Sequence, residues 1–361
     1  MKNIDNISFY QPLMTWKNIH DVSKQMRKGD PDIIKKLESK LAEIFDMKTA
    51  IITSSGTAAL MIAIQSLGID KKKEIIVPAY GFPAGANAAR YLGYKVKFID
   101  INIDSLCMSF KEIKKYISIH KKVGAVIYIC QNGQINNLSD IYNYCVEQKI
   151  IFICDAATCI GLDADKCDGH AIITSFSMPK LITAGQGGAI MFNNEPHAEA
   201  MARMLIDQGI PSDCDRLNKF HEVIGVNFKM SNIAAALCLS QLEELDKRIK
   251  MRSRVFGLYA RYCDKYGLFF DRLRAWWPCI RAQGKFDGKD KADITVKEMQ
   301  GLGIQATRLY RPLNHFPSYN DKKIYANAET AYEHLVYLPF SLRMNEAQIE
   351  RICRVAREIA K

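Results

Sequence analysis

Lys180 lies in the stretch SFSMPKLITAGQGG (175–188), between two apolar runs, Ala171 to Phe176 and Gly188 to Phe192. Both runs read as buried strands. An amine held between core strands is desolvated, which disfavours the ammonium form and leaves the neutral amine that Schiff-base chemistry needs. The other reading is a solvated, inert lysine on a hairpin loop. Asp155 follows a further apolar run, Ile150 to Cys154. A carboxylate at a strand's carboxyl end either caps the next turn or partners a protonated ring nitrogen. The third group is the turn Thr53 to Thr57, between the short strand Ala50 to Ile52 and a helix Ala58 to Leu67. A strand, a hydroxyl-rich turn and a helix in succession aim free backbone amides at one spot. That arrangement serves both as an N-cap and as a phosphate site.

The elements that must carry these groups alternate along the chain. Apolar runs at Glu74 to Val77, Lys95 to Ile99 and Ala125 to Ile129 read as strands. Helical patterns fall at Asp32 to Phe45, opened by Pro31, and near Phe110 to Ile117 and Ser139 to Gln148. Alternation of this kind predicts an α/β fold with a mostly parallel central sheet sandwiched by helices, and ligands gather beyond the carboxyl ends of such strands. From Ser231 one long helix is expected to about Tyr262, with Ile233, Leu237, Leu242, Leu245 and Ile249 inward. It leads to a smaller α+β part in which Trp276 to Ile280 and Gln305 to Leu309 read as strands. Gln283 to Asp290 reads there as a polar loop and Asn345 to Ile359 as the closing helix. The expected division is an N-terminal arm (1–30) with one short helical pattern, a large domain (31–245) and a small C-terminal domain (246–361).

At 361 residues the chain exceeds the usual single domain, and 48% hydrophobic with 25% charged residues suits a soluble globular enzyme. The net charge of +11 comes largely from short lysine runs without interleaved aromatics, so nucleic acid is not the expected partner; the field favours a small anionic substrate. Eleven cysteines with no Cys-x-x-Cys suggest neither a disulfide scaffold nor a metal site. Cys130, Cys154, Cys159 and Cys238 sit in apolar runs as small hydrophobes. With no apolar signal core and no membrane-length stretch, the expectation is a cytoplasmic protein without membrane contact.

Taken together, SSGTAAL (54–60), VPAYGFPAGANAARYLG (77–93), DAA (155–157), SFSMPKLITAGQGGAI (175–190) and VNFKMSNIAAALCLSQLEELD (226–246) resemble the DegT/DnrJ/EryC1/StrS sugar aminotransferases. These are fold type I enzymes that depend on pyridoxal 5'-phosphate. The resemblance runs from about Ile51 to the C-terminus. It implies that Lys180 binds the cofactor covalently and shuttles the proton, and that Asp155 pairs with the pyridinium nitrogen. It places Gly56, Thr57 and Ser175 at the phosphate and Phe82 against the ring. Asn227 matches an asparagine that reaches the phosphate of the neighbouring subunit, so a homodimer with shared active sites is implied. Gln134 matches a glutamine near the site, and the substrate pocket would lie near Tyr310, Asn314 and His315. The implied reaction has two halves. Glutamate leaves the cofactor as pyridoxamine 5'-phosphate, which then aminates a keto sugar, most often nucleotide-linked.

The chain departs from that pattern at several places. Thr158 stands where a cofactor-side glutamine is usual, Gln186 replaces the glutamate of GEGG, and Ser177 replaces a histidine or aromatic residue. QMRKGDPDIIKKLESKL (25–41) replaces a Gly-Trp entry. These changes leave room for an unusual sugar, including one without a nucleotide. Three alternatives compete. A pyridoxamine-dependent sugar dehydratase would lack the lysine. A nicotinamide dehydrogenase would need Gly-x-Gly-x-x-Gly after its first strand. A non-catalytic protein on the same fold would have no use for the Lys180 and Asp155 pair.

Overall fold

The structure, a computed structural model, describes residues 6–211, 220–270, 277–282 and 291–361. Seven strands form the central sheet: β1 (Ala50–Thr53), β2 (Glu74–Pro78), β3 (Lys95–Ile99), β4 (Val123–Ile129), β5 (Ile151–Asp155), β6 (Ala171–Ser175) and β7 (Gly188–Phe192). Their order is β1-β7-β6-β5-β4-β2-β3. The pairings among β2 to β6 are parallel, and β7 runs antiparallel to both of its neighbours. The predicted α/β fold with a mostly parallel sheet is therefore what the chain adopts.

Alternation along each strand explains why helices cover both faces. Ile75 and Val77 of β2 join one apolar cluster and Ile76 joins the other. Ile153 and Cys154 of β5 divide in the same way. Successive side chains of a strand point to opposite faces, so both faces must be buried. Helix Ile33–Ile44 lays Leu37 and Leu41 on one face, and helix Gly56–Ser66 lays Leu60, Ile62 and Ile64 on the other. Among the described residues no helix is long and apolar enough to cross a membrane.

The C-terminal elements add a two-stranded antiparallel sheet of β8 (Cys279–Arg281) and β9 (Leu335–Tyr337). Here the structure differs from the sequence reading. Gln305 to Leu309 is not a strand; Thr307 alone bridges to Tyr337, and the pairing partner of β8 is β9. Trp276 and the loop Gln283 to Asp290 lie outside the described residues. The long helix is two helices, Asn232–Leu242 and Leu245–Lys265. At the break Glu244 accepts hydrogen bonds from Thr15 and Asn18 of the arm, at 3.1 Å each. Ile233, expected inward, is 47% exposed. Pro31 lies in a turn ahead of its helix, whose first residue is Ile33.

The arm is more ordered than its sequence suggests. Helix Trp16–Lys28 is capped by Thr15 and packs against Asn232–Leu242. Its buried Asn18 accepts from Arg248 Nη2 at 2.9 Å and donates to Ser240 Oγ at 2.9 Å. Before that helix the chain bridges Ile7 to Ile304 and Tyr10 to Phe340, which carries Phe9 to the edge of a cavity at the carboxyl ends of the strands.

Candidate active site

The innermost end of that cavity is an anion seat. Ser55 is the N-cap of helix Gly56–Ser66; its hydroxyl accepts from Ala58 N at 3.0 Å and its carbonyl from Ala59 N at 3.0 Å. The N–H groups of Gly56 and Thr57, first and second in the helix, have no acceptor within it, and both residues line the cavity. The helix dipole adds positive potential at the same point. Ser175, the last residue of β6, lies against Gly56: a Cβ at Gly56 would come within 3.0 Å of the Ser175 Cβ. The Ser175 hydroxyl donates to Ser177 Oγ at 3.4 Å.

Lys180 sits in the connection between β6 and β7. Lys180 N donates to Ser177 O at 3.0 Å and Ala184 N to Phe176 O at 2.9 Å, which closes the turn. Tyr10 of the arm donates to Lys180 O at 3.1 Å, and Thr183 N donates to Gln241 Oε1 at 3.1 Å. These bonds fix the backbone and leave the amine to the cavity. Desolvation holds the amine below its ordinary value, opposed by the charge of Asp155. Asp155 ends β5 and is buried; its Oδ1 accepts from Ala157 N at 3.1 Å. Burial pushes its carboxyl up, and Lys180 pulls it back. Each group resists ionisation alone and favours it in the other. A cationic ligand at Asp155 and an electrophile at Lys180 would both relieve that cost.

Gly56, Thr57, Phe82, Asp155, Thr158, Ser175, Lys180 and Tyr310 thus share one cavity of about 530 Å³, together with the departures Ser177 and Gln186. Phe82 is 62% exposed at its mouth. Thr158 lies deeper and donates its hydroxyl to Cys130 O at 2.9 Å. Tyr310 packs edge-on against Tyr80, its phenol pushed up to about 12 by burial and hydrogen-bonded to Gln131.

Four expected residues lie elsewhere. Asn314 is outside the lining, and its Nδ2 donates to Lys323 O at 3.0 Å. His315 Nε2 is 2.7 Å from Glu329 Oε1 at the surface. Gln134 lies beyond the lining, and its carbonyl accepts from Cys107 Sγ at 3.3 Å. Asn227 is exposed, in a β-bridge with Asp207, outside the cavity of its own chain.

The sequence reading missed Gln131, Asn132, Phe9 and Trp277, all of which line the cavity. Asn132 adopts a left-handed backbone, φ 54°, which reverses the chain after β4. Its Oδ1 accepts from Trp277 N at 2.7 Å and its Nδ2 donates to Trp277 O at 3.2 Å, a two-point clamp. Phe9 stacks on the Trp277 ring with centroids 4.7 Å apart. The Asn132-Gly133 pair, a turn signal, was the available clue that the loop folds back at Gln131 rather than at Gln134.

Comparison with known proteins agrees with this geometry. A family model described as the DegT/DnrJ/EryC1/StrS aminotransferase family matches residues 17–357. The GDP-perosamine synthase of Vibrio cholerae is 30% identical over 336 residues, covering 89% of each chain. The Caulobacter vibrioides protein of the same name is 28% identical over 337 residues, covering 88% of each. Among solved structures, Helicobacter pylori PseC, an aminotransferase involved in the biosynthesis of pseudoaminic acid, superposes with a TM-score of 0.89 at 20% identity, covering 99% of both chains. That likeness is one of fold.

Proposed function

The chain belongs to the DegT/DnrJ/EryC1/StrS aminotransferase family, and from that premise we propose that it moves an amino group from glutamate to a keto group of a nucleotide-linked sugar, with pyridoxal phosphate as cofactor. One observation carries the reading: the Lys180 amine, the Asp155 carboxylate and the amides of Gly56 and Thr57 open onto a single cavity. The residues fit the cofactor. The seat has donors for a phosphate, and the backbone at Gly56, and at Gly188 behind it, is so closely approached that a side chain at either position would disturb it. A buried carboxylate and a desolvated amine complete the set.

Pyridoxal phosphate, when bound, supplies a carbonyl that carries nitrogen between the two substrates and a ring that takes up electron density. The chain's own groups do the rest. Gly56, Thr57 and Ser175 bind the phosphate, where the helix N-terminus favours negative charge. Asp155 holds a proton at the ring nitrogen. Lys180, its amine held below its ordinary value by burial, would move the proton between the substrate carbon and the cofactor. Phe82, at the mouth, would stack on the ring, and Thr158, anchored through Cys130 O, would help hold it. Phe9, Gln131, Asn132, Trp277 and Tyr310 face the space left for the sugar.

A homodimer with shared sites is part of the same reading. Asn227 is assigned to the phosphate seat of the second copy, since it is exposed and apart from its own. Ile224, 95% exposed, and Phe220, 69% exposed, lie in the same segment and offer apolar surface for that contact.

Borohydride reduction of the holoenzyme followed by peptide mapping should find one pyridoxyl group, on Lys180. Glutamate should bleach the visible absorbance, and a nucleotide-linked 3-keto or 4-keto sugar should restore it. No label on Lys180, or no response to any amino donor, would overturn the reading.

A further inference from the structure

Four buried cysteines meet beneath the floor of the cavity. The Sγ atoms of Cys130, Cys159 and Cys167 all lie within 4.8 Å of one another. Cys154 Sγ is 3.5 Å from Cys130 Sγ. The four come from separate places: the residue after β4, the interior of β5, the turn after β5, and the residue after the short helical turn Ala164–Lys166. The loop between Cys159 and Cys167 is wound tightly enough to return to its start. Leu162 N donates to Cys159 O at 2.8 Å and Cys167 N to Ala164 O at 3.1 Å. Gly161 takes φ 78°, and a Cβ there would lie 2.7 Å from Leu181 Cδ2.

We propose that Cys130, Cys159 and Cys167, with Cys154 at the fourth position, bind a thiophilic divalent ion of the zinc class. Zinc–sulfur bonds of about 2.3 Å place tetrahedral ligand sulfurs about 3.8 Å apart, and bringing the Cys130, Cys159 and Cys167 sulfurs, all within 4.8 Å of one another, to that value takes side-chain movements of about 1 Å. The donor set is sulfur only, which selects a soft or borderline ion over magnesium or calcium. Simple packing accounts for Cys263 and Cys353, whose sulfurs form an isolated pair at 3.6 Å. It gives no reason for four sulfurs from four segments to converge. Thiolate ligation displaces the thiol protons, so binding tightens as pH rises. Cys130 lines the cavity, which gives an ion a path from solvent.

The site would act as a positioning device. Cys130 precedes Gln131 and Asn132 and accepts the Thr158 hydroxyl; Cys159 follows Thr158 in the turn that begins at Asp155. An ion bound to both sulfurs would tie the two cofactor-side loops together.

The test is metal analysis of the holoenzyme, dialysed under reducing conditions against zinc and then against metal-free buffer. About one zinc per chain is expected, falling to none in Cys159→Ala/Cys167→Ala. Cobalt(II) loaded into the wild-type protein should show thiolate-to-metal charge transfer and the visible bands of a tetrahedral site. That spectrum decides the matter even if the double variant does not fold. Wild-type protein that holds no zinc, or a cobalt spectrum without thiolate charge transfer, would overturn the proposal. Neither readout depends on transamination, so this inference and the proposed function stand or fall separately.

Discussion

The α-carbon of Gly188 is pressed against the peptide that joins Ser55 to Gly56. A Cβ at Gly188 would lie 2.5 Å from the Ser55 carbonyl carbon and 2.6 Å from Gly56 N. The contact is backbone to backbone, so no rotamer can relieve it. Gly188→Ala must push β7 away from the start of helix Gly56–Ser66 and spread the anion seat. Pyridoxal phosphate binding should weaken at least about tenfold, roughly 1.4 kcal/mol, with a lowered melting temperature. Titration of the apoprotein by fluorescence reads the affinity, and unchanged binding would remove the seat from this location.

Asp155 and Lys180 each moderate the other's burial. In Lys180→Met the carboxyl loses the cation that pulls it down, so its folded value rises further above the ordinary 3.8. A carboxyl raised in the folded state contributes its stability below the unfolded value and loses it as pH rises through the folded value. Cofactor-free Lys180→Met should therefore lose melting temperature between about pH 4 and pH 7 relative to Lys180→Met/Asp155→Asn, which lacks the titrating group. A constant difference across that range would show that Asp155 is not held in a desolvated site.

The clamp from Asn132 to Trp277 separates backbone strain from hydrogen bonding. Asn132→Ala loses both bonds, about 1 kcal/mol each, and places alanine at φ 54°. Asn132→Gly loses the bonds and keeps the turn, so it should be the more stable variant by about 1 kcal/mol. Asn132→Asp keeps the acceptor for Trp277 N alone. All three should raise KM for the sugar more than they lower kcat, because the clamp holds a wall of the cavity and touches no reacting atom. Denaturant melts and steady-state kinetics check both halves.

The proposed shared sites make a prediction about mixtures. Lys180→Ala and Asn227→Ala each damage both sites of a homodimer. A mixed dimer regains one intact site, built from Lys180 of one copy and Asn227 of the other. Random reassortment of equal amounts should restore about a quarter of wild-type activity. No recovery after confirmed subunit exchange would place Asn227 outside the site.

Much of the fold and of the cavity's inner end could be read from the residues alone. The sheet strands are short apolar runs closed by turn residues, and Asp155 and the Ser55-Gly56 turn stand at strand ends, where open sheets collect ligands. What escaped depends on contacts distant in sequence. β9 follows helix Ala326–His334 directly, with no glycine or proline to mark the change. The break at Glu244 coincides with hydrogen bonds from the arm, and Trp277 reaches the cavity through Asn132, far away along the chain. The cysteines read as unrelated core residues because their meeting point exists only after the loop past Gly161 has closed.

Ser175, at the anion seat, and Lys180 lie on one short stretch, the end of β6 and the start of its connection to β7. A ligand fastened to the amine and leaning on the seat is therefore gripped at both ends by a single loop. Inserting or deleting even one residue there would change the span between the two grips, so the loop acts as a ruler cut to one molecule's length. The opposite wall is drawn from three unconnected segments, at Phe9, Asn132 and Trp277. Each of those can be exchanged without disturbing the ruler, which would let the same amine and seat be refitted to a different sugar.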